Sequence, residues 1–263
     1  MTGSIAVRTP APYLGGKRNL SRHLVGLIGE TPHRTYVEPF VGMGGIFLKR
    51  HAAAPVEVIN DLSRDVATLF RILQRHYEAF MDTLKWQLTS RADFERLIAT
   101  NADTLTDLER AARFLYLQQL SFGGKVTGRN FGVDKKAPAR FDVTKLREKL
   151  PEIHERLAGV TIECLPYADV IRRYDSAETL FYLDPPYWNC EKDYGDGFER
   201  ADFERLADQL GGIAGKFILS INDTPGARAV FARFNLSDIE TTYTVGTASA
   251  GGAKRAGELI VRN

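Results

Sequence analysis

Five short runs rich in β-branched and aromatic residues are spaced along the chain at Thr35–Glu38, Val56–Asn60, 160–165, 179–184 and Lys216–Asn222. Runs this short and apolar suit buried strands, whereas segments such as 62–74 and 201–213 between them place apolar residues at the helical period. Strands that alternate with helices can lie parallel, because each helix supplies a crossover. The pattern therefore predicts an α/β core on a largely parallel sheet. The alternation stops between about residues 77 and 157, where helical patterns dominate around a Gly-rich stretch, 122–132, that suits a hairpin or exposed loop. A chain of 263 residues can hold both a core and an inserted unit. The expected division is 1–76 with 158–263 as core and 77–157 as an inserted helical subdomain.

Composition excludes several classes. The two cysteines, Cys164 and Cys190, are far apart, and the five histidines have no metal-ligand spacing, so neither a structural metal nor a disulfide framework is expected. There is no apolar run long enough to span a bilayer and no basic start followed by an apolar stretch, which reads as a soluble protein of a reducing cytoplasm. Neither Gly15-Gly16-Lys17 nor Gly123-Gly124-Lys125 completes a phosphate-binding loop, because Ala11 and Gln119 stand where the leading glycine is required. The net charge of +2 marks no polyanion partner by itself, but residues 121–150 carry eight basic side chains against three acidic ones. Any polyanion contact is expected to concentrate there.

The first apolar strand runs into Glu38-Pro39-Phe40-Val41-Gly42-Met43-Gly44-Gly45. Glycines at such a turn let backbone approach a nucleoside closely, and a helix is predicted to begin near Ile46. Phe47 occupies the place of the third glycine of a dinucleotide-binding motif, which weakens that reading. Asp61 follows the next strand, where a carboxylate can accept both hydroxyls of a ribose. Capping a helix that starts at Leu62 is its plainer role, and the glycine turn upstream favours the ligand role.

The strongest local signal is Leu183-Asp184-Pro185-Pro186-Tyr187-Trp188. Two prolines remove both N–H donors, so the corner offers only carbonyl oxygens beside one carboxylate and one ring. That suits an amino group on a flat ring. The exocyclic nitrogen of adenine is a poor nucleophile because its lone pair is delocalised. Acceptors at Asp184 and the Pro185 carbonyl can hold both amino hydrogens and aim that lone pair at a methyl sulfonium, with Tyr187 stacked on the base. A rigid turn is the plainer reading of these residues. The glycine turn and Asp61, each at the carboxyl end of a strand, favour the chemical one.

Taken together, these segments resemble the Dam-type family of DNA adenine N6-methyltransferases, in the alpha arrangement, over nearly the whole chain. The resemblance implies a Rossmann-like S-adenosylmethionine-dependent core with Asp184, Pro185, Pro186 and Tyr187 as catalytic residues and no metal. Tyr13-Leu14-Gly15-Gly16-Lys17 is similar to the N-terminal cofactor motif, with Tyr13 where the family more often has tryptophan. Glu38, Pro39, Phe40, Gly42 and Gly44 match the glycine motif, and Asp61 the ribose-binding acid. Asp184 also faces the cofactor in this reading, and Tyr167-Ala168-Asp169 resembles the segment beside the cofactor adenine. Capping the helix at Val170 is the plainer role of Asp169. Ser220-Ile221-Asn222-Asp223 resembles a later core strand, and the run from Gly251 to Leu259, which includes Glu258, resembles a C-terminal hairpin that helps hold the extruded base.

The same resemblance implies duplex DNA as partner, a target-recognition role for 77–157 with Arg113-Phe114-Leu115-Tyr116-Leu117 inside it, and adenine flipped from the stack at a cost of roughly a few kcal/mol. Lys125, Arg129, Lys135, Lys136 and Arg140 are the candidate phosphate contacts, and Asn130 a candidate base reader. For any one of them a solvated surface role stays equally open. Ser121-Phe122-Gly123-Gly124-Lys125 departs from the GATC-methylating members, so no target sequence carries over. The expected protein is a cytoplasmic monomer, bacterial or phage-encoded. Transfer to cytosine N4 or to RNA adenine, and a non-catalytic DNA-binding relative, remain open alternatives at this point.

Overall fold

The computed structural model describes residues 6–13, 17, 20–133, 136, 138–191, 197–243 and 254–263. After helix Ser21–Glu30 (α1), strands Thr35–Glu38 (β1) and Val56–Asn60 (β2) lead to Arg64–Arg75 (α2). Four helices follow, Tyr77–Leu84 (α3), Arg91–Ala99 (α4), Asp107–Leu120 (α5) and Val143–Arg156 (α6). The chain then alternates through Thr161–Glu163 (β3), Tyr167–Tyr174 (α7), Thr179–Leu183 (β4), Arg200–Leu210 (α8), Lys216–Asn222 (β5) and Pro225–Val230 (α9), and ends in Asn235–Tyr243 (β6) and Lys254–Arg262 (β7).

The sheet order is β3-β2-β1-β4-β5-β7-β6. Strands β1 to β5 pair in parallel, and β7 lies antiparallel between β5 and β6. From β1 the chain builds outward on one side to β2 and β3, then returns to the other side for β4. This reversal opens a crevice at the carboxyl ends of β1 and β4, where α/β sheets bind ligands. Glu38 and Asp184 stand at those two ends.

Residue alternation divides the sheet between two apolar layers. Tyr36, Ile59, Leu180 and Tyr182 join one cluster with α2 and helices α3 to α6, while Val37, Val58, Phe181 and Leu183 join the other with α7 and α8. Helix α2 presents Val66, Leu69, Phe70 and Leu73 at helical spacing, all buried. Helix α5 begins with a capping box, in which the Thr106 N–H donates to Glu109 Oε2 at 2.9 Å and Glu109 N–H to Thr106 Oγ1 at 3.4 Å. Helices α3 to α6 thus share one continuous core with the sheet. No helix among the described residues is long and apolar enough to cross a membrane.

Two expectations need correction. The helix predicted near Ile46 is only a 3-10 turn, Phe47–Lys49, and the strand predicted at 160–165 shortens to Thr161–Glu163. The turn stops because Arg50 is extended and anchored: its guanidinium lies 3.7 Å from the centre of the Tyr36 ring and pairs with buried Glu57. A tertiary ion pair here outweighs helical periodicity. The Gly-rich stretch forms a 3-10 turn, Phe122–Gly124, closed by a bridge between Ser121 and Phe131.

Candidate active site

A cavity of about 1360 Å³ occupies the crevice. It exceeds the roughly 300–1,000 Å³ of a single-ligand pocket, leaving room for a nucleoside-sized ligand and a second flat group. One end is built on the carboxyl ends of β1 and β2. Gly42 turns with φ of 49°, and a Cβ there would stand 2.9 Å from Tyr13 Cε1, so only glycine lets the Tyr13 ring close over this turn. Asp61 Oδ2 accepts the Gly42 N–H at 2.9 Å and Oδ1 accepts the Ser63 N–H at 2.9 Å. The acid does not cap α2, whose N-cap is Ser63, but accepts the N–H of that residue and of the glycine turn at the cavity wall. It ties the glycine turn to the start of α2, and each oxygen keeps a second lone pair in a residue that lines the cavity. Burial pushes the Asp61 carboxyl up to about 6, against the pull of those two backbone N–H donors.

Asn60 and Phe198, which sequence reading passed over, complete this end. Asn60, buried, donates to the carbonyls of Pro39 at 2.9 Å and Leu165 at 3.0 Å and accepts the Leu165 N–H at 2.9 Å, locking three loop segments together. A polar side chain ending an apolar strand was its only signal. The rings of Phe40, Tyr167 and Phe198 lie within 5.9 Å of one another, centre to centre, and form an apolar wall for a flat ligand. Of the segment Tyr167-Ala168-Asp169, the first two residues line the cavity and the acid does not. Asp169 pairs with Arg172 at 2.7 Å on the outer side of α7 and does not line the cavity, and Pro166, not Asp169, caps that helix. Gly44, with φ of 72°, packs against Leu48 and serves the turn without lining the cavity.

The other end is the Asp-Pro-Pro-Tyr corner after β4. Lys17, almost wholly buried, reaches it from the N-terminal segment. Its Nζ lies 3.0 Å from Asp184 Oδ1 and 2.8 Å from the Tyr187 hydroxyl, and it also pairs with Glu258. Asp184 turns 23% of its side chain to the cavity, yet the surrounding protein pushes its carboxyl up to about 6; Lys17 lowers it and Glu258 raises it. Pro186 lines the cavity beside it, Pro185 is buried, and Tyr187 is half-buried. At the end of β1 Glu38 accepts the Tyr36 hydroxyl at 2.7 Å, and burial lifts its carboxyl to about 8. Among the described residues no cluster of three or more His, Cys, Asp or Glu could hold a metal ion.

The recognition-region candidates are placed unevenly. Lys125, Asn130, Lys136 and Arg140 are exposed, and Arg140 reaches the rim of the cavity. Arg129 turns inward instead, over the Phe114 ring, with Nη2 3.1 Å from Gln118 Oε1. Lys135, like Gly15, Gly16 and Gly251, lies outside the described residues. Gln118 is a further residue missed from sequence. Fully buried on α5, it donates to the carbonyls of Pro12 at 2.8 Å and Gly124 at 2.7 Å, joining the Gly-rich loop to the segment that carries Tyr13.

The model of the D12 class of N6 adenine-specific DNA methyltransferases matches residues 13–245, which takes in both ends of this cavity. The chain belongs to that family. A Type II methyltransferase, M1.LlaDCHI, of Lactococcus lactis subsp. cremoris is 27% identical, the match covering 98% of this chain and 96% of that protein. A DNA adenine methylase of Vibrio cholerae is 25% identical over 91% of this chain and 90% of that one, and one of Escherichia coli 22% identical over 85% and 84%. Enzymes of this D12 class are adenine-specific DNA methyltransferases, and the expectation of such an enzyme on a Rossmann-like α/β sheet holds.

Proposed function

We propose that this D12-class enzyme transfers a methyl group from S-adenosylmethionine to N6 of an adenine extruded from duplex DNA, with 77–157 acting as the target-recognition subdomain. The observation that carries the reading is the convergence on one cavity of Lys17, Gly42, Asp61 and Asp184 from four separate segments. S-adenosylmethionine, when bound, supplies the methyl group on a sulfonium. Asp61 receives ribose hydroxyls, the Phe40, Tyr167 and Phe198 wall holds the purine, and Tyr13 with Lys17 closes over the amino-acid end. Asp184 and the Pro185 carbonyl accept the two amino hydrogens of the substrate adenine and direct its lone pair, while Tyr187 supports the base.

Sequencing DNA from cells expressing the chain on a long-read instrument that detects modified bases tests this reading. N6-methyladenine in one recurring sequence context is expected. Methylation confined to cytosine N4, or none, would refute it.

The carboxylate form of Asp184 is the acceptor, so kcat should fall as pH drops through about 6 and reach its plateau above that value. Below its pKa the acid carries a proton of its own and loses an acceptor position. A flat kcat profile between pH 5 and 8 would count against this role. Charge reversal of exposed Lys125 should weaken DNA binding and reduce the slope of log affinity against log salt by about 1. An unchanged slope in a filter-binding titration would mark Lys125 as a solvated surface residue.

A further inference from the structure

Glu258 is fully buried on β7, directly across the antiparallel ladder from Asn222 of β5. Lys17 donates to its carboxylate, and so does the Tyr187 hydroxyl, 2.9 Å from Oε2. Asn222 grips the main chain one residue further on, accepting the Trp188 N–H at 2.8 Å and donating to the Trp188 carbonyl at 3.1 Å. One facing pair of residues thus fixes the Asp-Pro-Pro-Tyr corner twice, through the backbone after Tyr187 and through its hydroxyl. The next residues of the strand, Leu259, Ile260 and Val261, are buried and apolar, so packing alone asks for no acid at this place. A buried carboxylate is costly even when paired.

We propose that Glu258 is a positioning residue for methyl transfer, holding the Lys17 ammonium and the Tyr187 ring so that Lys17 covers only Oδ1 of Asp184 and leaves Oδ2 to the substrate amino group. The proposal rests on the reading of Asp184 as the amino-group acceptor. An ammonium with three donors and a single carboxylate partner would be drawn fully onto Asp184 and compete with the substrate for both oxygens. With Glu258 opposite, Lys17 is shared. The groups that face Asp184 electrostatically are Lys17 and Glu258, together with Glu38 and Tyr182, which respond to its charge. Lys17 favours the ionised form of Asp184, and Glu258 opposes it.

Glu258→Gln keeps the shape and removes the charge. In the full-length purified protein, with S-adenosylmethionine and unmodified plasmid DNA, kcat is expected to fall about tenfold or more, with the acid limb of its pH profile moved to lower pH. In the cofactor-free protein, carbon-13 NMR of the Asp184 carboxylate should show its titration moving the same way. A loss of kcat with limb and titration unmoved would describe a merely structural residue and overturn the proposal, as would unchanged kcat. Tyr187→Phe keeps the ring and removes the hydroxyl that Glu258 holds, so the proposal remains testable if Glu258→Gln does not fold. It should lose about fivefold or more in kcat, and the double variant should lose no more than about twofold beyond Glu258→Gln. Wild-type turnover in Tyr187→Phe overturns the proposal. Wild-type protein that transfers no methyl group to DNA would sink the underlying reading instead, and that result is distinct from an active wild type beside an unaltered Glu258→Gln.

Discussion

Asp184→Ala is expected to lower methyl transfer by about a thousandfold, the scale set by loss of a preorganised polar group at the reacting atoms, while binding of S-adenosylmethionine stays measurable. No neighbouring acid can take over. Glu38 accepts the Tyr36 hydroxyl, with its carboxyl raised to about 8 by burial, and Glu258 is held by Lys17 and the Tyr187 hydroxyl. The fold should tolerate the change. Lys17 keeps Glu258 as its charge partner, so truncation leaves no isolated buried cation, and the side chain removed already opened to the cavity. The cofactor contacts proposed at Asp61 and at the aromatic wall lie at the other end of the cavity, away from the substitution. Single-turnover transfer from labelled cofactor, paired with calorimetric titration of the cofactor, separates the two effects. Near-normal turnover would refute the assignment, and complete loss of cofactor binding would show that Asp184 serves the cofactor first.

Glu57→Ala should have the largest effect on stability. Glu57 is buried on β2 and pairs with two buried arginines. Arg50 comes from the turn after β1, and Arg156 from the end of α6, with Nη1 2.6 Å from Oε2 and Nη2 2.9 Å from Oε1. Both guanidinium groups also lie over rings, Arg50 on Tyr36 at 3.7 Å and Arg156 on Phe47 at 3.9 Å. Removing the acid strands two buried cations, and breaking a buried pair in this way costs about 3–5 kcal/mol. For a chain of this size that corresponds to a thermal midpoint about 10 °C lower. Arg50→Met, Glu57→Leu and Arg156→Met together should restore most of the loss, since a well-packed apolar set can replace a buried triad. A thermal scan in which Glu57→Ala melts with the wild type would show that the three charges are already hydrated.

Strands β1 to β5 were legible in the sequence because they are short, largely apolar and flanked by turn residues, and β1, β2 and β5 begin and end at the predicted residues, whereas β6 was not foreseen and β7 only as part of a hairpin segment. The order of the glycine turn, Asp61 and Asp184 was legible too, since each sits where a parallel strand ends. What escaped were residues whose roles come from distant partners. Asn60 and Gln118 are buried polar side chains bonded to atoms far along the chain, and the run holding Glu258 was singled out without its partners, because neighbours in sequence say nothing of such bonds. The helix expected near Ile46 gave way to the Arg50 anchor for the same reason. Asp169 and Arg129 show the reverse case, in which a suitable residue type in a suitable segment is claimed by a local partner, Arg172 or Gln118, and turned from the surface it was expected to serve.

The central claim is that the corner at Asp184 presents acceptors to an adenine amino group. Incubation of the purified chain with methyl-labelled S-adenosylmethionine and unmodified duplex DNA, followed by digestion to nucleosides, tests it most directly. The account predicts label in N6-methyl-2'-deoxyadenosine with the wild-type chain and none with Asp184→Ala. Label in another nucleoside, or equal labelling by the two proteins, would contradict it.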